Sequence, residues 1–216
     1  EPMKVGVAVV DLFTGLYASN AILAALMHAR ATGQGQHIDI ALFDVQAAML
    51  ANQATNWFVS GKAPTRMGNA HPNLAPYQPF PCTDGMVVIA VGNDGQFRAL
   101  AEALGAPGLG ADPRFLTNAL RIEHRAVMTA ELSALTAGHT MHSLMAALET
   151  AGVPCGPVNT VDQVFDEPQA KHRGLEVAQD RADLLAPVRT VASPIRMSAT
   201  PVAYDRAPPA LGADTD

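Results

Sequence analysis

Hydrophobic positions change their rhythm several times along the chain. Lys4 to Val10 is a short apolar run, mostly Val and Ala, and predicts a buried strand. From Thr14 the spacing turns helical, with Leu16, Leu23 and Met27, joined by Ile22 and Leu26, on recurring turns. Gly33 and Gly35 end that helix, because glycine takes up the left-handed cap conformation without a Cβ penalty. "HIDIALFD" alternates Ile38, Ile40 and Leu42 with His37, Asp39 and Ala41, the pattern of a strand with one buried face. A second helix is predicted over Asp44 to Val59.

Residues 61–81, "GKAPTRMGNAHPNLAPYQPFP", break every period with five prolines and two glycines. Proline lacks the N–H that helix interiors and central strands need, so this stretch is predicted to be an ordered loop. Beyond it come a turn at Asp84-Gly85, a strand from Met86 to Val91, and a helix from Gln96 to Leu104 with Phe97, Leu100 and Leu104 on one face. Asp112-Pro113 is predicted to start a helix, with further helices over Ile122 to Leu135 and from a Thr140 cap to Gly152. "GVPCGPVNT" forms a second Pro/Gly hinge. Thr160 and Gln163 then fit a capping box for a short helix stopped by Pro168. "VRTVASPIRMSATPV" offers one or two edge-like strands. The order is that of an α/β fold, with an insert bracketed by two hinges.

Composition narrows the function classes. Of 216 residues, 49% are hydrophobic and 16% charged, which suits a folded core and argues against disorder. A net charge of −6 disfavours a nucleic-acid surface. No uninterrupted run reaches the roughly 18 apolar residues of a membrane span, so no membrane partner is expected. Cys82 and Cys155 form no CxxC motif, and with no leader pattern visible the expected compartment is the cytoplasm.

Asp11 is the first candidate for chemistry. It stands where the predicted strand hands over to a helix. It serves there equally as a cap, accepting free N–H bonds, or as an ionised nucleophile at the carboxyl end of a strand. "TGQGQH" has glycines after a helix and before a strand, the wrong order for a dinucleotide loop, so the cap reading is preferred. His71, with Asn73 and Tyr77 close by, lies in the long proline-stiffened loop, and loops of that kind commonly line sites. Cys155 reads as a small buried hydrophobe rather than a nucleophile. The scattered histidines complete no metal-ligand pattern, and no metal is expected.

Four stretches together carry a resemblance: residues 5–53, residues 66–97 ("RMGNAHPNLAPYQPFPCTDGMVVIAVGNDGQF"), "AGVPCGPVNTVDQVFDEPQ" and "RAPPALGADTD". In order and spacing they resemble the family III CoA-transferases, also called the CaiB/BaiF family. The resemblance implies part of a Rossmann-like large domain with an inserted small α/β domain, in an interlocked homodimer. Residues 1–62 would end the first large-domain portion and its linker helix, 63–155 form the small domain, and 156–216 return to the large domain. It implies CoA transfer from an acyl-CoA donor to a carboxylic acid acceptor, with short dicarboxylic acids favoured. CoA thioesters are then substrates, and no cofactor is bound permanently.

Asp11 falls at the family's nucleophile, which passes through a mixed anhydride to an aspartyl-CoA thioester. His71, Asn73 and Tyr77 fall where some members carry a glycine-rich loop over the substrate. Here the loop reads "HPNLAPY", without the glycines, which implies a stiffer wall. Two rivals share the pattern: an α-methylacyl-CoA racemase that uses the Asp11 position for proton transfer, and a non-catalytic truncated relative. Family chains are longer, their amino-terminal half supplying much of the CoA pocket, so this piece alone is expected to have little activity.

Overall fold

The computed structural model describes residues 4–213 and 215. The chain divides into two compact units, Glu1–Arg66 and Met67–Asp216. The first is helical: α1 (Val9–Thr32), α2 (Leu42–Ala48) and α3 (Ala51–Ser60). The second holds mixed α/β structure: β1 (Tyr77–Pro81), β2 (Met86–Ala90), α4 (Asp94–Ala103), α5 (Pro107–Ala111), α6 (Asn118–Glu123), α7 (Arg125–Thr136), α8 (Met141–Thr150), β3 (Cys155–Pro157), α9 (Val161–Asp166), α10 (Pro168–His172), β4 (Glu176–Gln179) and β5 (Val188–Val191).

Two predicted strands of the first unit are absent. Residues 4–8 join no ladder, and helix α1 begins at Val9 rather than Thr14, taking in the end of the apolar run. Residues 36–41 are also unpaired, yet Ile38 and Ile40 are half-buried between exposed neighbours. Alternation therefore reports burial, while a strand also needs a partner for its N–H and C=O groups. Among the described residues of this unit there is no such partner. Gly33 ends α1 as the pattern predicts, at φ +74°, with its N–H donating to Ala29 O at 2.8 Å. The single helix predicted from Asp44 is instead two, because Ala51 turns to φ +45° and interrupts the hydrogen-bond ladder. No glycine or proline announces that break.

The first unit is apolar on its outside. Among its described residues Val45 alone is buried, and α1 buries nothing: Leu16 is 59% exposed and Met27 is 72% exposed. By length and composition α1 is apolar enough to cross a membrane, the one such helix among the described residues. The helix still holds no uninterrupted run of about 18 apolar residues, since Asp11, Asn20 and Arg30 break it. The core helix of a soluble protein meets the same criterion.

In the second unit β1, β2 and β3 form an antiparallel sheet in that order. Residues 77–81 are thus a strand where the prolines predicted a loop. The register explains why they are tolerated. Val91 N–H donates to Pro76 O and Cys82 N–H to Gly85 O, so even-numbered residues face the ladder. Pro79 and Pro81 point their nitrogens away from it, on an edge strand where no partner is lost. β3 runs across residue 155, so the hinge contributes to the sheet.

Val87 and Ile89 of β2 are buried, with Phe97 and Leu100 of α4, Met128 and Leu132 of α7, and Leu144 and Leu148 of α8. Phe97, Leu100 and Leu104 do share one inward face. Thr140 caps α8, its Oγ1 accepting from Ser143 N–H at 3.1 Å. Thr160 and Gln163 form the predicted capping box of α9.

Asp112 departs from expectation: it closes α5, and its carboxylate accepts from Arg114 N–H at 2.8 Å, while Thr117 caps the next helix. Aspartate bonding the backbone two residues on makes a turn as readily as a helix start. The helix predicted over Ile122 to Leu135 is split at His124 into α6 and α7. β4 and β5 form a separate antiparallel pair, tied by Arg189 donating to Glu176. Thr140→Ala should cost about 1 kcal/mol of stability, the usual worth of such a cap, with a lower urea midpoint and unchanged slope.

Candidate active site

Asp11 lies in the first turn of α1, not at a strand end. Its N-cap is Ala8, which offers no side-chain oxygen, so Asp11 supplies the negative charge that a helix start favours. The turn is braced by Thr14 Oγ1, which donates to Val10 O at 2.7 Å. The carboxylate is exposed and borders an open cavity of about 420 Å³ that Lys4, Val7, Val10 and Gln46 also line. The carboxylate thus makes no side-chain cap bond and faces an open cavity.

His71, Asn73 and Tyr77 come together in the second unit. The rings of His71 and Tyr77 stack at 5.1 Å with 9° between their planes, and His71 N–H donates to Tyr77 O at 2.9 Å. That bond covers the outward edge of β1. His71 Nδ1 accepts from the N–H groups of Asn73 and Leu74, each at 3.1 Å. With Nδ1 accepting, the neutral ring carries its proton on Nε2 and offers a donor there. Asn73 and Tyr77 are exposed, whereas Ala75 and Pro76, joined by a cis peptide bond, are buried.

The loop is held from behind by side chains that the sequence analysis did not single out. Arg125 donates to Pro72 O at 3.3 Å and to Leu74 O at 3.4 Å. Asn118 Nδ2 donates to Asn73 O at 2.9 Å, and its Oδ1 accepts from Ala75 N–H at 3.1 Å. Arg121 Nε donates to Ala75 O at 2.6 Å. Four consecutive carbonyls are thus taken by Asn118, Arg121 and Arg125, spaced i, i+3 and i+7 on one stripe of α6 and α7. That helical spacing of long donors was the available signal. These bonds tie the segment to α6 and α7 along its length.

Burial raises the Cys155 thiol above its ordinary pKa, and nearby Glu149 adds to this, so its thiolate is suppressed. Burial and Asp84 do the same for Cys82. Both cysteines are free. Among the described residues no group of three or more His, Cys, Asp or Glu is placed to hold a metal ion. The cavity of about 710 Å³ between α9, α10, β4 and β5 is lined by two ion pairs, Lys171 with Asp166 at 3.0 Å and Arg189 with Glu176, and by Asp162, which is hydrogen-bonded to Thr160. None of the predicted site residues borders it.

Comparison with known proteins gives these features a context. The chain is 48% identical over 214 residues to a succinate–glutarate CoA-transferase of Agrobacterium fabrum, covering 98% of this chain and 53% of that protein. It is 35% identical to the succinyl-CoA:glutarate CoA-transferase of Mus musculus, covering 100% of this chain and 49% of the relative. The crystal structure of a CaiB/BaiF family protein from Brucella suis superposes with a TM-score of 0.81 at 47% identity, over 99% of this chain and 55% of that one. The chain therefore spans about half the length of the curated relatives it matches. Residues 1–215 match the profile of CoA-transferase family III, and the chain belongs to that family.

Proposed function

We propose that this chain is part of an enzyme that moves CoA from an acyl-CoA donor to a short dicarboxylic acid, with Asp11 as nucleophile. The observation that carries the reading is the 48% identity, along nearly the whole chain, to a relative named for succinate and glutarate. A carboxylate oxygen of Asp11 attacks the donor's thioester carbon, and the C–S bond breaks to release CoA thiolate and leave a mixed anhydride. The thiolate attacks the Asp11 carboxyl carbon and the donor acid departs, leaving an aspartyl-CoA thioester. The acceptor carboxylate then attacks the same carbon. Released thiolate takes the acceptor's acyl carbon, and Asp11 is freed as a carboxylate. No net proton moves, so no general acid or redox group is required. Water must stay out, because anhydride and thioester both hydrolyse.

The Nε2–H of His71, the Asn73 amide and the Tyr77 hydroxyl are the donors we assign to the substrate carboxyl. Carboxylates are bound by donors of these kinds, and the backbone that carries them is bonded by Asn118, Arg121 and Arg125. We assign residues 1–62 and 156–216 to a Rossmann-like large domain and 63–155 to the inserted small domain. The exposed apolar residues of α1 and α3, among them Leu23, Met27, Trp57 and Phe58, support an interlocked homodimer that covers them. The free thiols suit a reducing cytoplasm.

Succinyl-CoA and glutarate, supplied to the complete protein, should yield glutaryl-CoA and succinate. A run in deuterated water should show no exchange at the α-carbon. Exchange without transfer is the racemase outcome and contradicts the proposal.

A further inference from the structure

We infer that Asn118 is a positioning residue for acceptor-acid binding, acting through the loop 71–76 on the imidazole of His71. The inference rests on the reading of His71, Asn73 and Tyr77 as the carboxylate-binding wall. Asn118 touches none of the atoms that would meet substrate. Its carboxamide instead spans the backbone from Asn73 O, which accepts from Nδ2 at 2.9 Å, to Ala75 N–H, which donates to Oδ1 at 3.1 Å. The two backbone partners force the orientation of the amide, since one is an acceptor and the other a donor.

The groups that set His71 lie in and next to this span, Leu74 N–H between the two bonds and Asn73 N–H just before them. The N–H groups of Asn73 and Leu74 both point to Nδ1, at 3.1 Å each. A single amide therefore bonds the backbone on both sides of Leu74 N–H and at the residue that supplies the other N–H, the pair that sets the ring's tautomer. Stacking on Tyr77 fixes the plane of the ring. Arg121 and Arg125 also grip the loop, but Arg121 is buried among core groups, and Arg125 makes longer bonds of 3.3 and 3.4 Å. Asn118 is half-buried and bonds the loop on both sides, so it is the member of the stripe whose loss loosens the loop while sparing the core.

The chemistry separates this role from general support. A donor–acceptor bridge is lost in Asn118→Ala and reversed at one end in Asn118→Asp, where a carboxylate oxygen faces Asn73 O. With either variant the Asn73 and Leu74 N–H groups should leave Nδ1, and the neutral ring should no longer be held with its proton on Nε2. Acceptor binding weakens, since the donor it meets is no longer fixed.

The test uses the complete protein, with 15N-histidine NMR and kinetics with succinyl-CoA and glutarate. The wild type should show the Nε2–H tautomer at His71, and both variants a mixture of tautomers. The KM for glutarate should rise about tenfold, equivalent to ~1.4 kcal/mol. The KM for succinyl-CoA should stay close to wild type, and the melting temperature should fall by only a few degrees, the cost of leaving Ala75 N–H without its acceptor. An unchanged tautomer with unchanged KM overturns the inference. Parallel losses in both KM values and in melting temperature overturn it too, because they indicate plain structural damage. His71→Ala separates the underlying reading: if it leaves the glutarate KM unaltered, the loop is not the acid site and the binding role of Asn118 falls with it. A tautomer shift in Asn118→Ala would then still show the mechanical link from Asn118 to the ring.

Discussion

Asp11→Ala in the complete protein should lower the rate of CoA transfer by at least about 10⁴-fold, the scale on which removal of a covalent nucleophile acts. The proposed path passes through this carboxylate at every step, so no partial route survives its loss. Stability should change little. The helix α1 takes its cap from Ala8, without a side-chain bond, and no hydrogen bond or ion pair among the described residues is assigned to the Asp11 carboxylate. What disappears is a favourable charge in the first turn, usually worth about 0.3–1 kcal/mol. Asp11→Asn should be as inactive, since a neutral amide is a poor nucleophile even at the same size. Loss of turnover with a retained circular dichroism spectrum is the expected pair of results. Rates within tenfold of wild type would mean that the carboxylate does not carry the acyl group.

The second large effect concerns folding. Arg121→Ala should destabilise the protein by about 3–5 kcal/mol, as the loss of one partner from a buried charged network does. Arg121 is 1% exposed, and its guanidinium serves three separate acceptors. Nε reaches Ala75 O at 2.6 Å, Nη1 reaches Phe115 O at 2.9 Å, and Nη2 reaches Asp94 at 2.8 Å. The group also lies 4.7 Å from the centre of the Phe97 ring. Truncation leaves Ala75 O and Phe115 O without this donor in the interior, each costing about 1–3 kcal/mol. Asp94 is 43% exposed and returns to water, so its share is small. Arg121→Lys should recover only part of the loss, because one ammonium cannot span three diverging acceptors. Denaturant midpoints for the two variants check both claims. A loss under 1 kcal/mol for the alanine variant would contradict the structural role.

Local chemistry in the sequence was a good guide wherever a few adjacent residues decide the structure. Gly33, Thr140 and the Thr160–Gln163 pair end or start helices by bonds within one turn, so their roles can be read directly. The turn at Asp84-Gly85 and the apolar run that follows it likewise mark β2 correctly. Reading failed where the outcome depends on distant partners. Lys4 to Val10 has strand-like composition, but no neighbouring strand among the described residues, and its end is drawn into α1 instead. The prolines of residues 77–81 argued against a strand until the register showed their nitrogens facing away from the ladder.

The candidate site was legible to a similar extent. Asp11, His71, Asn73 and Tyr77 were singled out from the sequence, and the last three do come together. Their support was not seen. An arginine on an amphipathic helix ordinarily belongs to the surface, and only the fold shows Arg121 in the core, gripping the loop beside Asn118. The separation of the pair from the loop by more than forty positions hides the connection in sequence.

The most direct measurement is peptide mass spectrometry of the complete protein, quenched during turnover with succinyl-CoA. The account predicts a CoA thioester on the peptide that contains Asp11, removed by hydroxylamine and absent from Asp11→Ala. An adduct on Cys155 or another residue, or continued transfer by Asp11→Ala with no adduct at all, would contradict it.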